Sequence, residues 1–180
     1  MERSLTHIAL FAALIAVLGL VPQITLASGV PITAQSLGIM LCGTVLGARR
    51  GALAVLLFLA LVAAGLPLLS GGRGGIGVFA GPSVGYLIGF PIAAFVTGWL
   101  VERTSLSIGL AASAAAVIGG IGVLNVFGIL GLSVMLGKSL PEAAFMGMAY
   151  LPGDILKAVL AGMVTQSLAR MRPASLLSRG

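Results

Sequence analysis

Apolar residues dominate this chain in six runs, and the interruptions between them are glycine, proline or charge rather than regular alternation. Without a period-two pattern the runs read as helices, not strands. They predict six spans, over residues 5–22, 32–48, 52–67, 84–101, 106–136 and 152–170. Crossing a ~30 Å hydrocarbon core takes about 20 residues at 1.5 Å each. The fifth run, 106–136, holds 31 residues and no charge, so it tilts or extends beyond the core. In the last run, which begins at Ala143, Pro152 divides a short outer piece from the spanning helix. Residues 21–31, with two prolines and Gly29, read as a loop; Arg49-Arg50 ends the second run, Ala52 opens the third, and 70–75 reads as a glycine-rich loop after it. The first run alone resembles a signal peptide with a poor cleavage site at Leu26-Ala27-Ser28, but five further runs make it a span.

Composition turns these helices into a membrane bundle. Of 180 residues, 59% are hydrophobic and 8% charged, with mean hydropathy +1.19. Soluble domains carry about 25% charged residues. The fold class expected is therefore an all-α integral membrane protein of six transmembrane helices, a single membrane domain over 1–180. Its 27 glycines suit close helix packing in lipid. The net charge of +6 comes without a basic cluster interleaved with aromatics, so no nucleic-acid partner is expected. Topology explains it instead. With the N-terminus inside, Arg3, Arg49, Arg50, Arg103, Arg170, Arg172 and Arg179 are cytoplasmic, while Arg73 and Lys138 lie outside. That distribution follows the positive-inside bias, with both termini cytoplasmic.

Most soluble-enzyme motifs fail. Gly72-x-Gly74-x-x-Gly77 matches a dinucleotide fingerprint without a strand–helix unit around it. Gly137-Lys138-Ser139 ends like a P-loop, but Leu132 stands where its first glycine belongs. Gly81-Pro82-Ser83-Val84-Gly85 has the form of a nucleophile elbow and raises an intramembrane serine hydrolase as an alternative. Its base would have to be Lys157, because the lone histidine, His7, falls at the opposite end of the bundle. His7 and Cys42 form no metal-ligand cluster, and no metal or cofactor is expected.

One pair of charges breaks the apolar pattern. Asp154 and Lys157 are three residues apart, on one helix face near the outer side. A charge at mid-membrane depth costs about 2.5–3.5 kcal/mol on insertion scales. The pair either bridges itself to hold helix packing or meets a ligand with a polar end. Thr33, Gln35, Arg73, Tyr86, Asn125 and Tyr150 could line the same pocket. Each has a plainer reading: interhelical hydrogen bonds for Gln35 and Asn125, solvation for Arg73, interfacial anchoring for the tyrosines. On the first run Ala9, Ala12, Ala13 and Ala16 form overlapping small-xxx-small pairs, a stripe for contact within the bundle or with a partner.

Several stretches carry a family resemblance. They are Val30-Pro31-Ile32-Thr33-Ala34-Gln35, Gly65-Leu66-Pro67, Gly71-Gly72-Arg73-Gly74-Gly75, the segment from Gly81-Pro82-Ser83 to Gly89-Phe90, and Pro152-Gly153-Asp154-Ile155-Leu156-Lys157. In this order and spacing they resemble the BioY family, the biotin-specific S components of energy-coupling-factor (ECF) transporters. The likeness covers residues 5–170. It implies a multi-pass protein of the cytoplasmic (inner) membrane that captures biotin from outside in a pocket open to the exterior. It implies as partners a transmembrane T component and two ATPase subunits, although some members work without the ATPases. It also implies that the alanine face of the first helix docks on the T component, and that Asp154 and Lys157 meet the vitamin. An S component for another vitamin is the nearest alternative.

Overall fold

The computed structural model describes residues 2–25 and 28–179. Leu26 and Ala27, within the expected loop and the weak cleavage site, lie outside the described residues. The chain runs through α1 (Glu2–Leu18), α2 (Gln35–Leu46), α3 (Ala48–Ala63), α4 (Val84–Arg103), α5 (Ile108–Ala115), α6 (Leu124–Leu136), α7 (Leu140–Met148) and α8 (Leu151–Met171). A π-helical stretch, Ala116–Val123, joins α5 to α6 into one rod from Ile108 to Leu136. A 3-10 turn, Ile76–Ala80, precedes α4.

α2 is the central element, because it is apolar on every side. All of Gln35–Leu46 except Leu37 is buried, with α1, α3, α4 and α8 packed around it. Thr165 Oγ1 of α8, which donates to Ala161 O at 2.7 Å, lies 2.8 Å from Thr44 Oγ1, an interhelical hydroxyl contact deep in the bundle. The perimeter is greasy. Leu53, Leu56 and Leu57 on α3, Ile88 and Ile92 on α4, and Val159 and Met163 on α8 are all exposed. An apolar surface of that extent belongs in lipid. By length and composition α4 and the Ile108–Leu136 rod can each cross a membrane, as can α7 and α8 taken as one bent pair. α2, at 12 residues, reaches only ~18 Å and relies on its extended lead-in to go further.

The helix boundaries depart from the runs in physically legible ways. Arg49 and Arg50 do not lie between two helices; they stand in the first turn of α3, because α2 and α3 are separated by Gly47 alone. Gly47 has φ 82°, in the region that favours glycine, and an added Cβ would collide with the Glu102 carboxylate. Glu102 Oε1 accepts from the Ala48 N–H at 2.8 Å, satisfying one of the free donors that open α3. The expected loop before α2 contains a two-residue hairpin, Ile24–Thr25 against Pro31–Ile32, too short to show alternation. The last run breaks as expected: α7 and α8 meet at 56°, with Pro152 in the first turn of α8. Ser139 opens α7 in a capping box, giving its N–H and O–H to Glu142 and holding that carboxyl below its usual range.

The tail returns to the bundle. Leu177 and Ser178 N–H groups donate to Val45 O at 2.8 and 3.0 Å, and Ser178 Oγ donates to Thr44 O at 2.6 Å. These carbonyls belong to the last turn of α2, which has no helical donors for them. Arg179 Nη2 adds a bond to Thr104 O at 2.8 Å, at the end of α4. The C-terminal tail thus sits at the Arg49–Arg50 end. α1 runs from that end towards Gln35, since Gly19 approaches Gln35 and Leu68.

Candidate functional site

At the opposite end, the hairpin, the starts of α2, α4 and α8, and the loop after α3 enclose a cavity. Its atom-free space is about 560 Å³ including the open side. Thr33, Gln35, Arg73, Tyr86, Tyr150, Asp154 and Lys157 all line it. Residues spread over more than a hundred positions meet there because each begins or precedes a helix at the same end.

Asp154 and Lys157 do bridge, with Lys157 Nζ 2.9 Å from Asp154 Oδ1 and both side chains largely buried. Ser36 on α2 completes the group. Its Oγ lies 3.3 Å from Asp154 Oδ1 and accepts from Lys157 Nζ at 2.9 Å. Both protein contacts to Asp154 fall on Oδ1, so Oδ2 is left without a bond to a described residue. Lys157 likewise has three N–H donors and uses two. The pair therefore stabilises itself and still offers one acceptor and one donor to a solute. Ser36 escaped sequence reasoning, because a single serine in an apolar helix is commonplace and carries no visible penalty.

Arg73 is not a freely solvated loop residue. Leu69 and Arg73 pair backbone to backbone, closing the glycine-rich segment into a tight turn. Its Nε donates to Ser70 O at 3.2 Å and its Nη1 to Ser83 Oγ at 3.4 Å. With Lys157 it gives the cavity two cations against one carboxylate, a surplus that suits an anionic group. Val30, Leu87, Phe90 and Leu124 supply apolar wall. Tyr86 and Tyr150 meet edge to face at 5.6 Å between centroids. The Tyr86 hydroxyl is buried with no hydrogen-bond partner among the described residues, while its ring rests on Gly128, where an added Cβ would strike it.

Tyr150 holds the hairpin down. Its hydroxyl donates to Val30 O at 2.9 Å, so the 2.9 Å contact with Ser28 Oγ has serine as donor. Val30 N–H in turn donates to Ser28 Oγ at 3.3 Å. Thr33 Oγ1 accepts from the Gln35 N–H at 3.2 Å, shaping the lead-in to α2.

Gln35 lines the cavity but is committed to the scaffold. Its Nε2 donates to Ile15 O and Leu68 O at 3.1 Å each, and its Oε1 accepts from Ser70 N–H at 3.1 Å. The plainer reading, a tie between segments, describes these contacts. Asn125 does not line the cavity. Leu124 does, and one step of about 100° around the helix turns Asn125 away. Its Nδ2 donates to Ile121 O at 2.9 Å, within its own helix. The alanine stripe also divides. Ala12 is 4% exposed and belongs to the core, Ala16 is half-buried, and Ala9 and Ala13 face outward.

A bundle with an apolar perimeter and one cavity of charged, hydroxyl and aromatic groups at its end is a helical membrane protein built around a small-molecule pocket. Sequence comparison gives that class a family. A model of the BioY family matches residues 2–174, and the chain belongs to that family. It is similar to the biotin transporter BioY of Rhodobacter capsulatus, 52% identical over the whole of both chains. To the biotin transporter BioY of Rhizobium etli it is 51% identical, over 92% of each chain. Among solved structures, the S-component for biotin from an ECF-type ABC transporter superposes with a TM-score of 0.90. The identity there is 30%, over 97% of this chain and 96% of that one.

Proposed function

We propose that this protein takes up biotin as the substrate-binding S component of an ECF-type transporter, capturing it in the cavity at the Asp154 end. The observation that carries the reading is the Ser36–Asp154–Lys157 group, with one open acceptor and one open donor, in a chain 52% identical to a biotin transporter. The protein is a transport component, not an enzyme. Ser83 Oγ accepts from Arg73 Nη1, and among the described residues no base takes its proton.

Biotin has a ureido ring with two N–H donors and a carbonyl, an apolar thioether ring, and a carboxylate on a flexible tail. In our reading a ureido N–H donates to Asp154 Oδ2, and the third Lys157 N–H donates to the ureido carbonyl. Arg73, with Thr33 nearby on the rim, receives the carboxylate. Tyr86 and Phe90 flank the thioether ring, and Tyr150 keeps the hairpin over it. Gln35 and Asn125 act indirectly, through the scaffold.

Six spans with both ends cytoplasmic remain our topology, in the cytoplasmic membrane. The arginine-rich end holding Arg49, Arg50, Arg103 and Arg179 faces inward and the cavity outward, in line with the positive-inside bias. The expected partners are a T component and two ATPase subunits. Ala9 and Ala13 are the docking surface, because they are exposed where Ala12 is not. The test is accumulation of radiolabelled biotin by cells that lack their own uptake system and express this chain with its partner subunits. Ala9→Trp or Ala13→Trp should abolish accumulation while purified protein still binds biotin. Normal uptake by both variants, or binding lost along with uptake, overturns the docking assignment.

A further inference from the structure

At the end opposite the cavity, the α2–α3 elbow and the last turns of α4 enclose a second recess. It measures about 1150 Å³ including its open side. Arg49 and Arg50 line it from the first turn of α3, Arg103 from the end of α4, and Phe95 and Trp99 form its apolar wall. The carboxylate in it, Glu102, is committed to the Ala48 N–H. Arg103 lies over the Trp99 ring, 4.7 Å from its centroid. Among the described residues no carboxylate pairs with Arg49, Arg50 or Arg103. Three guanidinium groups thus share a recess with one engaged acid.

A topology bias by itself needs only charge at this end, spread into water. Here the charge edges a cleft whose apolar wall continues along the bundle. Ile88, Ile92, Phe95 and Trp99 are all exposed, at intervals of four, three and four residues. That spacing makes one stripe along α4, about 16 Å long. Its upper end is apolar and its lower end is the arginine cluster. The complementary molecule is an amphiphile with an anionic head and a long apolar tail.

We propose that this cleft is a binding site for an anionic phospholipid. The phosphate diester sits against Arg49, Arg50 and Arg103, and one acyl chain lies along the Ile88–Trp99 stripe. Guanidinium groups bind phosphate oxygens in pairs, and basic recesses at the ends of membrane helices select anionic headgroups. An acidic protein surface would satisfy the arginines but leave the stripe without a role. The proposal requires the bundle to be embedded in lipid; it requires neither biotin nor the transporter partners.

Native mass spectrometry of the purified full chain tests it, by titration with dioleoyl-phosphatidylglycerol and dioleoyl-phosphatidylcholine. Competition arms use inorganic phosphate and an oligoglutamate peptide. Phosphatidylglycerol should be retained in preference to phosphatidylcholine. Arg49→Gln with Arg50→Gln should reduce that preference about 30-fold, from about 1 kcal/mol per basic residue at an anionic surface and tenfold per 1.4 kcal/mol. Arg103→Gln alone should reduce it about fivefold on the same scale. Arg170→Gln with Arg172→Gln removes the same charge outside the cleft and should leave the preference intact. Biotin binding, at the far end, reports that each variant is folded; if the double variant loses it, Arg103→Gln decides. Equal loss in the Arg170/Arg172 control, unchanged preference in the cleft variants, or displacement by phosphate or oligoglutamate overturns the proposal.

Discussion

Removing Lys157 alone should damage the protein more than removing Lys157 and Asp154 together. In the wild type the Asp154 carboxylate is largely buried and receives Lys157 at 2.9 Å and Ser36 at 3.3 Å. Lys157→Met leaves that carboxylate with one weak neutral donor. Breaking a buried ion pair from one side costs about 3–5 kcal/mol, and the open side of this cavity points to the lower value, about 3. Asp154→Asn with Lys157→Met removes both charges and leaves an amide that Ser36 can still hydrogen-bond. Stability should then return to within about 1 kcal/mol of wild type, since uncharged replacements of buried pairs are often neutral. Biotin binding should not return, because both groups assigned to the ureido ring are gone. The assays are unfolding in detergent for Lys157→Met, Asp154→Asn and the double variant, and equilibrium binding of labelled biotin. If the double variant is as unstable as the two single losses added together, the pair is not a coupled unit. If it binds biotin like wild type, the pair is purely structural and the site has been assigned to the wrong residues.

Three further outcomes separate scaffold from ligand contacts. Gln35→Ala orphans the Ser70 N–H and the Leu68 carbonyl, at about 1–3 kcal/mol for each group that stays buried, while Ile15 O keeps the Gly19 N–H. Unfolding should occur at lower temperature while biotin affinity, measured well below that temperature, changes little. Tyr150→Phe loses the hydroxyl that ties Ser28 and Val30, a net loss of about 0.5–1.5 kcal/mol. Biotin should dissociate up to about tenfold faster on that scale, read by chasing labelled with unlabelled ligand. Arg73→Gln removes a charge-assisted contact worth about 1.5–3 kcal/mol, or about 10–100-fold in affinity. Biotin methyl ester, which has no carboxylate, should bind wild type and variant equally; a loss for both ligands would place Arg73 in the scaffold.

How much of this could be read from the residues depends on how much each costs where it sits. Asp154 and Lys157 announce themselves, because charges in an apolar helix need partners, and three-residue spacing aims both at one place. The helices are legible for the same reason, and so is the break at Pro152. Ser36 is equally central to the geometry yet silent in sequence. The hairpin is silent too, since two-residue strands have no alternation to detect. Gln35 and Asn125 look alike in sequence, as polar residues in apolar helices, but rotation about the helix axis decides between them, and composition carries no rotation. Ala12 and Ala13 teach the same lesson on α1, where neighbouring residues face the core and the outside. The position of Arg49 and Arg50 inside α3 follows from Gly47, a one-residue elbow that hydropathy windows average away.

The most direct test of the central claim is equilibrium binding by purified protein, with biotin, riboflavin and thiamine measured side by side, on wild type and Asp154→Asn. Our account predicts saturable binding of biotin alone, at one site per chain, lost or greatly weakened in Asp154→Asn. Comparable binding of riboflavin or thiamine, or biotin affinity unchanged in Asp154→Asn, would contradict it.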